Sequence, residues 1–368
     1  MKRKLFSPRT DWQLEHQKIG FDYFNLPSLD GSIYWSEGVA YEFTLKQIEQ
    51  LEDAANELHQ MCLAVVGDLI QRGDYPNYFQ IPQAAIPHIE HSWRRNSPML
   101  YGRFDFAYDG LQIKMLEYNA DTPTGLLEAS VAQWLWIEQV SGIPNRDQFN
   151  SIHEDLIKRW KTILPRGSHL HFAACQEAGR EDWGNLEYLM DTAFQAHLQV
   201  SELSMENIGW NGQSFVDLNN RPIQNLFKLY PWEWIWEESF AQYLQPETNW
   251  IEPCWKMLLS NKAILVELWK RYPNHPLLVE TYAYNPEQHF SGKWVKKPIL
   301  AREGANIRVL QDGQDQGAAS GSFYFDDYDK YGYVIQKWVD TPLFSGQLPT
   351  LGLWMVGHQC AGMSIRED

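Results

Sequence analysis

The chain has 368 residues, including 17 Trp, 18 Tyr and 17 Phe, and its 44% hydrophobic and 21% charged content is typical of a folded globular protein rather than a disordered one. Its 31 Lys and Arg against 47 Asp and Glu give a formal net charge of −16. An acidic surface repels phosphates, so this charge argues against a broad nucleic-acid-binding face. The length suits roughly two or three domains.

The first strongly predicted element is a long helix. Thr44 and Gln47 have the spacing of a capping box, in which each side chain satisfies a backbone N–H group of the first turn. Behind them, apolar residues recur at helical spacing: Leu45, Ile48, Leu51, Ala55, Leu58 and Cys62. The pattern predicts an amphipathic helix that extends to about residue 70.

A β-hairpin follows. Residues 100–108 and 111–118 are strand-like, with Phe104, Phe106 and Tyr108 alternating with their neighbours. Asp109-Gly110 between the two segments is a tight-turn dipeptide. Both signals together predict an antiparallel pair of strands.

Helices and strands alternate over the rest of the chain. Helical patterns cover residues 258–272 and residues 125–139, the latter with Leu127, Val131, Trp134 and Leu135 on its inner side. Strands are predicted at residues 170–174, 215–217, 294–300, 307–310, 333–339 and 351–356. This mixture indicates an α/β or α+β fold.

Targeting and cysteine patterns indicate a cytoplasmic protein. No apolar stretch reaches the roughly 18 residues that a membrane-spanning helix needs. The basic N-terminus is followed by Ser7-Pro8-Arg9-Thr10-Asp11, where a signal peptide would have its apolar core. The four cysteines (Cys62, Cys175, Cys254 and Cys360) lie far apart, which argues against a disulfide framework or a structural zinc site.

Four polar residues of the hairpin could form a metal site. Arg103 and Asp105 share one face of the first strand, and Glu117 and Asn119 share one face of the second, because residues i and i+2 point the same way. Two carboxylates and an amide oxygen suit Mg²⁺, and the arginine suits a phosphate. The alternative is that these are solvated positions of a half-exposed hairpin.

Two lysines and one loop could bind phosphate. Lys262 lies at the start of a predicted helix, and Lys297 lies in a β-rich segment. Residues 301–306 form a loop with small residues whose N–H groups could cover phosphates. Both lysines are also compatible with ordinary surface positions, and the loop matches neither a P-loop nor a GxGxxG motif.

These features, in this order, resemble the synthetase domain of glutathionylspermidine synthase and its stand-alone acid–amine ligase-like relatives in the ATP-grasp superfamily. The resemblance covers residues 20–368 and is most specific at residues 101–124. It implies an α+β fold: an ATP-grasp in rearranged (permuted) order, with antiparallel sheets flanked by helices. The resemblance implies three regions. Residues 1–100 would be a mostly helical region, residues 101–250 would contain the metal-binding hairpin and a substrate-binding (pre-ATP-grasp-like) region, and residues 251–368 would be the nucleotide-binding ATP-grasp region.

The resemblance also implies roles for individual residues. Asp105, Glu117 and Asn119 would hold one or two Mg²⁺ ions, and Arg103 and Arg366 would be catalytic at the transferred phosphate. Thr122 and Thr124 would contact the acid, and Glu181, Asp182 and Glu187 would hold the amine. ATP would be bound by Arg103, Lys262, Lys297, Glu303, Gly304, Gln336, Lys337, Trp338 and Val339.

The implied activity is ATP-dependent ligation of a carboxylate, such as a peptide acid, to an amine or polyamine through an acyl phosphate. Neither nucleic acid nor membrane would be a partner, and a homodimer is compatible with the family. Three alternatives stay open: an ATPase-competent relative with other substrates than glutathione and spermidine, a kinase, and a nucleotide-binding regulatory protein. The family's fused amidase has no room in this chain, and the chain ends at Asp368, where the family continues, as a truncated form would.

Overall fold

The computed structural model describes residues 1–26, 33–144, 146–244, 248–302, 304–319, 322 and 324–367. Within these residues the helices are α1 (Trp12–Lys18), α2 (Leu45–Arg72), α3 (Ile86–Arg94), α4 (Gln133–Gln139), α5 (Ile152–Ile163), α6 (Arg180–Gln195), α7 (Trp232–Glu237), α8 (Met257–Ser260) and α9 (Ile264–Arg271). None of the helices in this part of the chain is long and apolar enough to cross a bilayer.

The strands of the described residues fall into sheets of two to five strands. They are β1 (Lys2–Leu5), β2 (Val39–Glu42), β3 (Tyr101–Tyr108), β4 (Ile113–Asn119), β5 (His169–Ala174), β6 (Gln199–Ser204), β7 (Gly209–Trp210), β8 (Phe215–Val216), β9 (Asn225–Leu229), β10 (Asn249–Ile251), β11 (Thr281–Ala283), β12 (Lys293–Pro298), β13 (Arg308–Gln311), β14 (Gln314–Ala318), β15 (Tyr333–Lys337), β16 (Pro349–Val356) and β17 (Gln359–Glu367).

Helix α2 confirms the first prediction. Thr44 is its N-cap, and both hydrogen bonds of the capping box with Gln47 are present. The helix ends at Gly73, which adopts the left-handed conformation (φ 61°) that glycine tolerates without steric cost. Its buried face joins the main core, where it packs with residues of β3, α9 and β16.

The predicted hairpin forms one half of a four-stranded antiparallel sheet with the order β17-β16-β3-β4, in which β3 is internal and β4 is an edge strand. Asp105 lies opposite Glu117, and Arg103 lies opposite Asn119, so the four polar residues do share one region of the sheet. Every residue of β3 is buried. The first strand of the hairpin is therefore internal, and the half-exposed alternative does not apply to it.

A second antiparallel sheet has five strands in the order β11-β15-β12-β13-β14. In it, β12 pairs with β15 so that Lys297 lies opposite Val334, and Val295 lies opposite Gln336. This sheet contains the predicted strands at 294–300, 307–310 and 333–339, with slightly different ends. It carries Lys297 and Gln336 on adjacent strands.

A third sheet is parallel, with the order β10-β9-β5-β6. The expectation of antiparallel sheets is therefore correct for the two sheets just described and incomplete for the fold. Short strands such as β10 (Asn249–Ile251) have too few residues for a recognisable period, and their parallel pairing depends on distant partners. The architecture is a mixed α/β fold in which helices pack around these three larger sheets, and two further pairs, β1-β2 and β7-β8, form small sheets of their own.

Two helical predictions require correction. Residues 125–139 contain a π-helical turn (Glu128–Ala132) before α4, and this turn changes which side chains face the core. As a result Trp136 is buried, at 6% exposed, whereas the predicted inner residue Trp134 is 48% exposed. Residues 258–272 are not one helix, because the chain breaks between α8 and α9. The Asn261 side chain there accepts a hydrogen bond from the Ala263 N–H (2.9 Å), and the Lys262 N–H donates to the Ile299 carbonyl (2.9 Å).

Candidate functional site

A cleft of about 1770 Å³ is lined by residues of the four-stranded and five-stranded antiparallel sheets and of the loops that follow β4 and β12. Most of the predicted site residues line it. They are Arg103, Asp105, Glu117, Asn119, Thr122, Thr124, Glu181, Lys262, Lys297, Gly304, Gln336, Lys337, Trp338, Val339 and Arg366. Residues separated by more than two hundred positions in the chain thus share one cavity.

Asp105 lies between two arginines. Arg103 donates from Nε to Oδ1 (2.8 Å) and from Nη2 to Oδ2 (3.3 Å), and Arg366 donates from Nη2 to Oδ2 (2.5 Å). Burial would raise the pKa of Asp105, but the charges of Arg103 and Arg366 outweigh it, so that this pKa lies well below its ordinary value. The carboxylate is therefore ionised at neutral pH.

Glu117 and Asn119 complete the acidic cluster. The Asn119 amide donates to Glu117 Oε1 (3.0 Å) and Asp105 Oδ2 (3.3 Å), so both carboxylates converge on one side chain. Lys262 Nζ lies 3.3 Å from Glu117 Oε2. Burial and repulsion from Asp105 both raise the pKa of Glu117. The positive charges of Lys262 and Lys297 more than offset these effects, so the pKa of Glu117 lies below its ordinary value.

Lys297 enters the cleft from the five-stranded sheet. Its Nζ donates to Gln336 Oε1 (2.7 Å) and to the Leu116 carbonyl (3.3 Å), and its side chain is buried. Burial lowers the pKa of Lys297 to about 8, although Glu117 acts in the opposite direction. Gln336 is 1% exposed, and its Nε2 has no hydrogen-bond partner among the described residues, which leaves a buried donor for a bound molecule.

The loop after β12 reaches the opposite wall. The Arg302 Nη2 donates to the Thr122 carbonyl (3.4 Å) and lies 3.7 Å from Asp182 Oδ1. Gly304 adopts the left-handed conformation (φ 72°). The predicted ATP-binding residue Glu303 lies outside the described residues.

Some predicted residues differ from expectation in detail. Glu187 pairs with Arg180 (2.7 Å) and is half exposed, and neither Glu187 nor Asp182 is among the described residues that line the cleft. Lys337 directs its Nζ to Glu280 (3.1 Å). Thr124 contributes its carbonyl, which accepts from Arg103 Nη1 (2.6 Å).

The oxygen atoms of the acidic cluster fit a Mg²⁺ ion that is shared with a bound phosphate, rather than a metal ion coordinated by protein side chains alone. No group of three or more His, Cys, Asp and Glu in the described part of the chain could hold a metal ion. Asp105, Glu117 and Asn119 instead offer two carboxylates and an amide, and Mg²⁺ commonly takes one or two carboxylates together with phosphate oxygens and water. The residues therefore fit a Mg²⁺–nucleotide complex.

Gly352 supports the site in a way that the sequence analysis missed. It lies opposite Asp105 on β16, and a Cβ atom there would lie 2.9 Å from Arg103 Cδ and 2.9 Å from Ser364 Oγ. A glycine at this position lets the Arg103 side chain run along the sheet. The signal, a lone glycine in a strand-forming segment, indicates a close approach but not its partner.

Replacing Gly352 with Ser is expected to destabilise the protein by about 1–3 kcal/mol, because the new side chain overpacks a buried site. Urea unfolding measures the change. Gly179→Ser is the matched control, since Gly179 is the N-cap of α6, has open space around it, and Ser is a favoured N-cap. Equal unfolding midpoints for the two variants would contradict the steric role of Gly352.

The fold and this cleft correspond to a known class. Residues 3–368 match the family described as glutathionylspermidine synthase preATP-grasp, and the chain belongs to that family. The family predicted from the sequence is thereby confirmed.

Individual relatives are ligases and synthetases. The chain is 50% identical over 377 residues to a Haemophilus influenzae protein named "Putative acid--amine ligase", covering 100% of this chain and 95% of that protein. It is 27% identical to trypanothione synthetase of Crithidia fasciculata and 26% identical to the bifunctional glutathionylspermidine synthetase/amidase of Escherichia coli K12. Each alignment covers 89% of this chain but only 53% and 56%, respectively, of those two proteins, so the chain spans about half their length.

A solved structure shares the fold. The glutathione synthetase-like effector GSS30 from Globodera pallida, in its apo form, aligns with a TM-score of 0.57 at 10% identity and covers 97% of this chain and 93% of that one. At this identity the similarity concerns the fold alone. It agrees with the mixed α/β architecture described above.

Proposed function

We propose that this protein is an ATP-dependent ligase that joins a carboxylate, such as a peptide acid, to an amine or polyamine through an acyl phosphate. The family and its named relatives support an amide-forming, C–N bond-forming enzyme. The observation that carries the proposal is the convergence of Asp105, Glu117, Lys262 and Lys297 in one cleft. Carboxylates for a metal and cations for phosphate are what phosphoryl transfer requires.

The nucleotide would lie between the two antiparallel sheets. Lys262 and Lys297 would hold its phosphates, and the loop with Glu303 and Gly304 would cover them. The segment from Gln336 to Val339, including Lys337 and Trp338, would contact adenine. The unpartnered Gln336 Nε2 supports this assignment, because a base nitrogen could accept its hydrogen bond.

Mg²⁺ bound by Asp105, Glu117 and Asn119 would neutralise charge on the phosphoryl group, whether one or two ions are present. Arg103 and Arg366 would donate to the transferred phosphate while it is in transit. The acid, oriented by Thr122 and Thr124, would attack the γ-phosphorus, and ADP would leave. The amine, held near Glu181 and Asp182, would then attack the carbonyl carbon, and phosphate would leave.

We also propose how the chain is divided between its two substrate sites and where the protein acts. The antiparallel sheets would form an ATP-grasp in permuted order, with residues 101–250 providing the metal-binding hairpin and substrate site and 251–368 the nucleotide site after a mostly helical 1–100. The protein would act in the cytoplasm on small-molecule or peptide substrates. A homodimer is compatible with the proposed reaction.

Mg²⁺-dependent ADP release across a panel of peptide acids and polyamines, including glutathione and spermidine, tests the proposal. Release that requires one acid and one amine is the expected result. Release with the acid alone would indicate a kinase, and tight ATP binding without turnover would indicate a regulatory protein. Absence of both binding and release would overturn the nucleotide site itself.

A further inference from the structure

A second group of ionisable residues lines the same cleft away from the phosphate-binding cations. Glu128 is 8% exposed, and its Oε1 accepts a hydrogen bond from the Tyr34 hydroxyl (2.5 Å). Its other oxygen, Oε2, is buried without a well-aligned donor: the nearby Tyr23 hydroxyl interacts with Glu128 and lowers the pKa of its carboxyl, but makes no hydrogen bond of standard geometry among the described residues. A buried carboxylate oxygen without a donor is costly unless a ligand supplies one.

No cation of the described chain neutralises this group. Neither Glu128 nor Glu181 forms an ion pair with a Lys, Arg or His side chain in that part of the protein, whereas Asp105 and Glu117 both do. Burial, followed by repulsion from Glu181, raises the pKa of Glu128 to about 7. The titratable side chains with the largest effect on the pKa of Glu128 are Glu181, Tyr34 and Tyr23, and none of these supplies a positive charge.

The backbone connects Glu128 to the phosphate site. The Thr124 carbonyl, one helical turn before Glu128, accepts a hydrogen bond from Arg103 (2.6 Å). On the other side, the Leu126 N–H donates to Asn185 Oδ1 (2.8 Å), and Asn185 Nδ2 donates to the Glu181 carbonyl (2.8 Å). Glu128 thus lies on a segment that is hydrogen-bonded to Arg103 on one side and to helix α6, which carries Glu181 and Asp182, on the other.

We propose that Glu128 is a catalytic residue of the amine step: its Oε2 binds the ammonium group of a primary alkylamine and takes one proton from it, while Tyr34 positions the carboxylate. This inference rests on the proposed ligase function. It differs from the assignment of Glu181 and Asp182 to amine binding because it gives the proton transfer to a residue that the sequence analysis did not select.

The step balances in atoms and charge. The ammonium gives one proton to Glu128 Oε2, and the freed nitrogen lone pair forms the C–N bond at the carbonyl carbon of the acyl phosphate. The bond from that carbon to the phosphate oxygen breaks, and the phosphate leaves with the second proton of the nitrogen. Glu128 then returns its proton to solvent. A base whose pKa is near neutral can serve in both directions of this exchange.

Hydroxylamine separates the two half-reactions. It is uncharged at neutral pH and traps an acyl phosphate as a hydroxamate without needing a protein base. With the acid that supports ADP release, we expect Glu128→Gln to reduce amine-dependent amide formation by roughly 10²–10⁴-fold and to leave hydroxamate formation unchanged. Tyr34→Phe should reduce amide formation less, and Glu128→Asp should restore part of it. Glu138→Gln, on the exposed face of α4, is the matched control and should equal wild type in both assays.

The pH profile gives an independent readout. Amide formation by wild type should rise as the pH increases through about 7, because only ionised Glu128 accepts the proton, and Glu128→Gln should lose this rise. Equal loss of amide and hydroxamate in a folded Glu128→Gln variant would overturn the proton-transfer role and leave the ligase assignment intact. If wild type forms no hydroxamate with any acid and no amide, the proposed function fails, and this inference fails with it.

The thermal midpoint of Glu128→Gln at alkaline pH should match or exceed that of wild type, because the variant removes a buried charge.

Discussion

Asp105→Asn is expected to reduce Mg²⁺-dependent ADP release by roughly 10²–10³-fold, the range typical of losing one preorganised electrostatic contact in a transition state. Asparagine keeps the shape of the side chain but removes the negative charge that faces the proposed metal position. Arg103 and Arg366 then lose the carboxylate that orients both of them. The assay is ADP release at saturating ATP, with the acid and amine that support turnover in wild type.

The dependence on Mg²⁺ concentration distinguishes a metal ligand from a structural residue. If Asp105 holds the ion, Asp105→Asn should need more Mg²⁺ for half-maximal activity, and excess Mg²⁺ should restore part of the rate. Asp315→Asn is the control, because Asp315 also pairs with an arginine, Arg308 (2.9 Å), but does not line the cleft. An unchanged Mg²⁺ dependence in Asp105→Asn would remove this residue from the metal site.

Stability must be measured beside activity for this variant. The pKa of Asp105 lies below its ordinary value in the folded protein, so the ionised carboxylate stabilises the fold above the pKa of the unfolded chain, and this contribution is lost as the pH falls through the folded pKa. Asp105→Asn removes that contribution at neutral pH. Its thermal midpoint should therefore be lower than that of wild type at pH 7 and approach it under strongly acidic conditions.

Local pattern predicted the hairpin well because the signals are local. Asp109-Gly110 fixes the turn, and the two-residue period fixes which side chains share a face. The turn sets the register from Tyr108 opposite Ile113 to Phe106 opposite Met115, and continuing it would place Asp105 opposite Leu116. A bulge between Asp105 and Phe106 shifts the register by one residue and brings Glu117 opposite Asp105, which the local signals did not predict. Chemistry then follows from residue type, since carboxylates and an amide at matched positions already indicate an oxygen-donating site.

Contacts between distant segments could not be predicted from local sequence patterns. Arg366 meets Asp105 because β17 pairs with β16 and β16 with β3, and no local period encodes that strand order. The resemblance suggested a late arginine near the phosphate, but the ion pair itself is a property of the assembled sheet. The same holds for Gly352, whose importance depends on the Arg103 side chain that crosses it.

Glu128 illustrates a different limit of sequence reasoning. It lies in a segment whose apolar residues predict a plain amphipathic helix, and the π-helical turn Glu128–Ala132 redirects the side chains of that segment. Only the folded structure, in which Tyr23, Tyr34 and Glu181 lie near Glu128, shows that its carboxylate is buried without a neutralising cation. An isolated glutamate in a helix carries no such signal, because most are solvated.

ATP affinity is expected to weaken as the pH rises above about 8, because the pKa of Lys297 is lowered to that value by burial. Below this pH the side chain is a cation that can bind phosphate. Above it, the protein must take up a proton before the charged contact forms, so the Kd for ATP should rise by about one log unit per pH unit. Isothermal titration of ATP across a range that brackets this pH measures the effect.

Lys297→Met should abolish this pH dependence and weaken ATP binding even at neutral pH. A hydrogen bond to a charged group contributes about 1.5–3 kcal/mol, which corresponds to roughly a ten- to hundredfold change in Kd. Lys296→Met is the matched control: Lys296 is the adjacent residue of β12, but its Nζ lies over the rings of Tyr284 and Tyr333, at 4.5 and 3.8 Å from their centroids. Because neighbouring residues of a strand face opposite sides, Lys296→Met should retain the wild-type affinity and its pH dependence. If Lys297→Met kept the alkaline loss of affinity, the titrating group would lie elsewhere in the cleft, and Lys297 would not be the cation that holds the phosphates.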